Sequence, residues 1–164
     1  MKTILLIRHA KSGWANIQES DYEREINNTG KKEALLMSDK LFKKNIIIDA
    51  FISSGALRAR QTCEIFCNTY GYPLPKVLFS DILYQATPQN ITDLICSINN
   101  KTNSVAIFTH NPGITDFINH LEMGVNIDDM PTCGVFSFQI NTNDWRLFNV
   151  AEKKYLFFDC PMKP

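Results

Sequence analysis

The residues best suited to chemistry in this chain are two histidines and two arginines. Arg8 and His9 stand side by side in Ile7-Arg8-His9-Ala10-Lys11-Ser12. Arg58 lies in Ser53-Ser54-Gly55-Ala56-Leu57-Arg58-Ala59-Arg60-Gln61-Thr62, and His110 in Phe108-Thr109-His110-Asn111-Pro112-Gly113. An arginine fork matches phosphate oxygens two bonds at a time. A neutral imidazole nitrogen can attack phosphorus and form a covalent intermediate that water then hydrolyses. In-line phosphoryl transfer is mostly positioning and charge stabilisation, which arginines and a second histidine supply without a metal. Each residue taken singly has a plainer explanation. A strand-end histidine often caps or meets solvent, helix arginines are often solvated with at most one of Arg58 and Arg60 turned inward, and Asn111-Pro112-Gly113 can be only a turn.

The elements around these residues bring them together. Thr3 to Arg8 is a continuous apolar run ended by charge, which predicts a buried strand. Ile46 to Ser53 and Ser104 to Thr109 predict two more. Gly30 to Lys44 places Ala34, Met37 and Leu41 on one side of an amphipathic helix. Ala56 to Tyr70 predicts a helix closed by Gly71 and Pro73. Thr87-Pro88 opens a helix carrying Ile91, Leu94, Ile95 and Ile98 at helical spacing. Gly113 to Met123 is a fourth. Val135 to Ile140, Trp145 to Val150 and Tyr155 to Phe158 read as strands, the last pairing as a hairpin around Asn141 to Asp144. Alternating strands and helices predict a three-layer α/β/α domain with a mostly parallel sheet covered on both faces. Such sheets bind ligands at the carboxyl ends of their strands. Arg8 and His9, Arg58, and His110 follow three different predicted strands, so they converge on one edge. Helix N-termini after the second and third segments add free N–H groups suited to an anion.

The composition sets the outer limits. The chain has 164 residues, the size of one ordinary domain, and 1–164 is expected to fold as one. Lys plus Arg and Asp plus Glu both number 17, a balance that argues against a nucleic-acid partner. Arg8 interrupts the first apolar run before a signal-peptide core is built, and no stretch has the length of a membrane span. A cytoplasmic protein without a membrane partner is the expectation. The five cysteines, Cys63, Cys67, Cys96, Cys133 and Cys160, include no CxxC pair and are expected as free, mostly buried thiols. With three histidines in the chain, neither a metal site nor a cofactor is expected.

These segments resemble the histidine phosphatase (phosphoglycerate mutase-like) superfamily, and within it the short phosphohistidine phosphatase SixA branch. Arg8-His9-Ala10-Lys11-Ser12 with Trp14 is similar to RHAKSxW. Asp21, Arg24, Asn27 and Gly30 match a D-x-x-R…N-x-x-G block, and residues Ser53 to Thr62 are similar to SSPAxRAxQT. Leu83-Tyr84, His110-Asn111-Pro112-Gly113 and Met130-Pro131-Thr132-Cys133-Gly134 match in order along nearly the whole chain. The resemblance implies a phosphoglycerate mutase-like fold with a minimal cap. It implies His9 as the residue phosphorylated in turnover, Arg8 and Arg58 as phosphoryl ligands, and His110 as a donor to an equatorial oxygen. Lys11, Ser12 and Asn111 are the accompanying substrate-binding candidates, and Arg60 is read as a surface charge. Phosphate or sulfate is expected to fit the site. Three positions depart from the pattern. Gly55 replaces a proline and loosens the loop before Arg58, Thr109 replaces a glycine and adds a side chain near the pocket, and Ala15 stands where larger relatives have a phosphate-contacting asparagine, with Asn16 one position late.

Larger superfamily members protonate an alcohol leaving group with a carboxylate between the second and third motifs. Glu64, Asp81 and Asp93 lie in that interval, and none has a convincing context. An alkoxide leaves badly without a proton, and losing a general acid costs roughly two to four decades in rate. A protonated phosphohistidine ring leaves as neutral imidazole. The expectation is therefore phosphohistidine hydrolysis on a phosphotransfer or phosphorelay protein in signal transduction. The alternatives are a phosphatase of small-molecule or other protein phosphoesters using the same His9 site, and a non-catalytic phosphate-binding module. No cysteine has an arginine at C-x5-R spacing and no D-x-D pair is present, so other phosphatase mechanisms find no support.

Overall fold

The computed structural model describes residues 1–15 and 17–161, so the reading of Asn16 lies outside the described residues. Its centre is a six-stranded sheet in the order β3-β2-β4-β1-β5-β6. The strands are β1 (Lys2–Arg8), β2 (Ala50–Ser53), β3 (Leu78–Phe79), β4 (Ser104–Thr109), β5 (Val135–Ile140) and β6 (Lys153–Asp159). The β3-β2-β4-β1 part is parallel, whereas β5 pairs antiparallel with β1, and β6 with β5. Four helices cover it: α1 (Asn28–Lys43), α2 (Leu57–Tyr70), α3 (Pro88–Cys96) and α4 (Gly113–His120).

Strand alternation explains the three layers. Along β1, Ile4 and Leu6 join one core with Ile91 and Ile95 of α3 and Phe117 and Ile118 of α4. Leu5 and Ile7 join the other, with Met37 and Leu41 of α1 and Cys63 and Phe66 of α2. All four strand residues are fully buried, each burial stabilising by roughly 1.5–3 kcal/mol. The helices start and stop where their chemistry dictates. Asn27 caps α1 through Gly30 N–H at 2.9 Å, and Thr87 with Asn90 forms a capping box on α3. Gly71, with φ 64, ends α2. At Gly30 a side chain would strike the Lys11 carbonyl, so glycine lets α1 press against the chain leaving β1.

Several predicted elements differ. Trp145 to Val150 is not a strand but a 3-10 turn over Trp145–Leu147. Asp144 accepts from Arg146 N–H, and the buried residues Trp145 and Phe148 are three apart, one turn of a 3-10 helix. The second strand begins at Ala50 rather than Ile46, since Ile47 is exposed and Asn45 takes a positive φ of 56. The fourth helix stops at His120, three residues short of Met123. The last strand is longer than Tyr155 to Phe158, and β3 has no counterpart among the predicted strands because two exposed residues carry no period.

Candidate active site

The carboxyl ends of β1, β2 and β4 open into a cleft of about 800 Å³. Arg8, His9, Arg58 and His110 all line it, as do Lys11, Ser12 and Asn111. The register explains the convergence: Arg8 pairs with Thr109, and Ser53 with Phe108, so three chain exits leave the sheet at one level. The first turns of α2 and α4 carry no side-chain cap, and Gly113 of α4 is part of the cleft wall.

His9 is fixed by its Nδ1, which lies 2.8 Å from the Ala10 carbonyl oxygen. A carbonyl only accepts, so Nδ1 carries the proton and Nε2 keeps its lone pair. Arg58 Nε donates to that Nε2 at 3.2 Å. Burial first, and then the positive charges of Arg58 and Arg8, push the His9 pKa down to about 3, against the opposing pull of the Ala10 carbonyl. His9 is thus neutral across the physiological range.

His110 stands 5.1 Å from His9, ring centre to ring centre. Its Nε2 is 2.8 Å from Ser54 Oγ, which already accepts from Ala56 N–H. A hydroxyl both donates and accepts, so Ser54 Oγ pairs with His110 Nε2 in either tautomer of the ring. The His110 Nδ1 is buried and has no hydrogen-bond partner among the described residues. Burial, then His9 and Arg58, hold the His110 pKa down to about 2. Arg8 donates from Nη1 to the Met130 carbonyl at 2.6 Å and reaches Asp129 at 3.5 Å, while its buried Nε is also unpaired.

Arg58 is buried and Arg60 is exposed, stacked 4.8 Å over Phe79, so one of the two arginines turns inward. Gly55 does not loosen the approach to Arg58. The Tyr22 hydroxyl and the Asp81 carboxylate fill the place a side chain at Gly55 would take, and they bond each other at 2.6 Å. Thr109 is fully buried and does not line the cleft, because its hydroxyl turns away to the Leu83 carbonyl at 2.8 Å. Ser12 accepts from Arg24. Asn111 donates to Asp129 and to the Met130 carbonyl and accepts from Thr115, so its amide braces the wall.

The cleft also holds carboxylates. Asp21 and Asp116 line it, whereas Glu64, Asp81 and Asp93 do not. Asp21 receives Tyr84 OH at 2.6 Å, Arg58 Nη2 at 3.0 Å and Arg24 Nη2 at 2.8 Å. Burial works to raise its pKa, but the Tyr84 hydrogen bond and the Arg58 charge prevail and leave it near 2. Asp21, Arg24 and Tyr84 all stood in matched blocks without a site role. The signal available for them was motif identity alone, since their loops carry no periodicity. Ser54 and the Met130 carbonyl were missed for the same reason.

A phosphate-sized anion would meet two guanidinium groups, two neutral histidines and two helix starts without side-chain caps here. The profile of the histidine phosphatase superfamily (branch 1) matches residues 4–78, which carry His9 and Arg58. An uncharacterised chloroplastic protein of Arabidopsis thaliana is 23% identical over 152 residues, 88% of this chain and 69% of that protein. Among solved structures, a candidate phosphohistidine phosphatase SixA from Agrobacterium tumefaciens has a TM-score of 0.81 at 24% identity, covering 98% of this chain and 99% of that one. The protein histidine phosphatase SixA complexed with tungstate scores 0.80 at 18% identity, covering 96% of each chain. A mycobacterial glucosyl-3-phosphoglycerate phosphatase in complex with VO3 scores 0.75 at 10% identity, covering 98% of this chain and 100% of that one. The resemblance to the histidine phosphatase superfamily stands, and the phosphoglycerate mutase-like fold is shared with SixA proteins along nearly the whole chain.

Proposed function

We propose that this chain is a phosphohistidine phosphatase, with residues 1–164 acting as one domain. The observation that carries the reading is the anchored His9 ring, whose Nδ1 is held by the Ala10 carbonyl while Nε2 faces Arg58 in the cleft. The Nε2 lone pair attacks phosphorus, and the P–N bond to the substrate histidine breaks. Its electron pair leaves with a ring that was already protonated, so neutral imidazole departs. Water then attacks phospho-His9, the new P–N bond breaks, and the pair returns to Nε2. Arg8, Arg58 and His110 stabilise the equatorial oxygens. Lys11, Ser12 and Asn111 shape the substrate side of the cleft. No step calls for a metal. The substrate is a phosphotransfer or phosphorelay protein of cytoplasmic signalling.

The state of Asp21 favours a nitrogen leaving group. A carboxyl held near pKa 2 by Tyr84 and Arg58 has no proton to give at neutral pH, so it cannot assist an alkoxide. One observation favours the phosphoester alternative. Asp116, exposed in the first turn of α4, also lines the cleft and is the carboxylate such chemistry would use.

The test compares wild type, His9→Ala and Asp116→Asn on a phosphohistidine-bearing phosphotransfer domain and on p-nitrophenyl phosphate, with and without chelator. We expect His9→Ala to lose about four decades of phosphate release, the scale of removing a covalent nucleophile. Asp116→Asn should keep phosphohistidine hydrolysis, and chelator should have no effect. Undiminished release by His9→Ala removes the nucleophile. Turnover of the ester alone, lost in Asp116→Asn, establishes the alternative.

A further inference from the structure

We infer that Asp21 is an internal anion, bound by Arg58 within the cleft and exchanged for the phosphoryl group when substrate enters. The inference rests on the reading of this cleft as a phosphoryl site. All three nitrogens of the Arg58 guanidinium are engaged. Nη1 donates to the Asp21 main-chain carbonyl, Nη2 to the Asp21 carboxylate at 3.0 Å, and Nε to His9 Nε2 at 3.2 Å. Arg24 donates to the other carboxylate oxygen from Nε at 2.9 Å and lies 2.8 Å away through Nη2. One carboxylate therefore occupies two arginines in a cleft built for an anion, the task that phosphate oxygens perform.

The arrangement also blocks attack. The lone pair that must reach phosphorus is spent on Arg58 Nε, and Arg58 is held in that pose by Asp21. An incoming phosphoryl group offers Arg58 a stronger acceptor. Taking it draws the guanidinium off His9 and frees Nε2. The segment that delivers Asp21 is itself latched, because neighbouring Tyr22 bonds Asp81 across Gly55 and stacks edge-on against Tyr84 at 4.9 Å. Asp21 is thus a positioning residue that works by competition, and its removal should strengthen anion binding. A bracing role would have the opposite sign.

Isothermal titration with inorganic phosphate at fixed pH and ionic strength tests this, using wild type, Asp21→Asn, Asp21→Glu and Arg58→Ala. Asp21→Asn is expected to bind phosphate on the order of tenfold more tightly, the scale of one charge-assisted hydrogen bond. Asp21→Glu, which keeps the charge, should show no gain. Weaker or unchanged binding by Asp21→Asn overturns the inference, and so does an equal gain in Asp21→Glu. If Arg58→Ala still abolishes binding in that case, the cleft remains a phosphate site and the proposed function stands. If no variant binds phosphate, both fall.

Discussion

At the N-terminal end of β1 the Lys2 ammonium is buried and closed off. It donates to the Asn100 and Thr102 carbonyls at 2.7 Å each and to Asn103 Oδ1 at 3.0 Å, and it sits 5.5 Å over the Trp145 ring. At the other end, roughly 20 Å along the strand, the cations are treated differently. Among the described residues Arg8 Nε and His110 Nδ1 are buried without a partner, and the His9 Nε2 lone pair meets Arg58 Nε at 3.2 Å. Both ends place positive or polar groups below the surface. The first satisfies its three donors with two main-chain carbonyls and one side-chain amide oxygen, and has no capacity left for a ligand. The second leaves hydrogen-bonding capacity unspent, which costs stability that a bound anion would recover. Burial of charge alone therefore does not mark a site. The unspent hydrogen-bonding capacity does.

The comparison can be broken at either end. The largest effect is expected at the open end, where Arg58→Ala should lower turnover by about two to three decades, the scale of losing one preorganised donor to developing charge. Steady-state kinetics on the phosphotransfer substrate measures it, and a loss under tenfold would make Arg58 a bystander. At the closed end, Lys2→Met keeps volume but strips donors from buried carbonyls. It should cost roughly 2 to 3 kcal/mol in urea unfolding while phosphate affinity is unchanged. A shift in phosphate affinity would show that the two ends of β1 are coupled.

A smaller effect separates the ends by pH. The folded pKa values of His9 and His110 are depressed, to about 3 and about 2. Below the unfolded value near 6.5 the unfolded chain takes up protons that the folded chain refuses. Their contribution is complete above that pH and declines as pH falls, by about 2 kcal/mol per histidine at pH 5. Replacing His110 with Gln should flatten the unfolding curve between pH 7 and 5, whereas Lys2→Met should leave its slope intact. A wild-type stability that is level over this range would place both histidines in contact with solvent.

Periodic and motif-bearing features could be read without coordinates. The apolar runs of β1 and β4 and the three- and four-residue spacing in α1 and α3 follow from local geometry, so layers and sheet edge came out together. Trp145 to Val150 misled because a short apolar stretch can be wound as a 3-10 turn once Asp144 caps it. Gly55 was read as a loosened proline site, yet it is the gap that admits Tyr22 and Asp81.

The sequence by itself determined that two arginines and two histidines gather at one sheet edge, because strand and helix periods are local and parallel strands end at one level. Tertiary structure alone decided the working details. It chose the His9 tautomer through the Ala10 carbonyl, set Arg58 Nε against His9 Nε2, and brought Asp21 onto Arg58 from 37 positions away. Those outcomes hang on loop paths and on single hydrogen bonds, which leave no period in the chain.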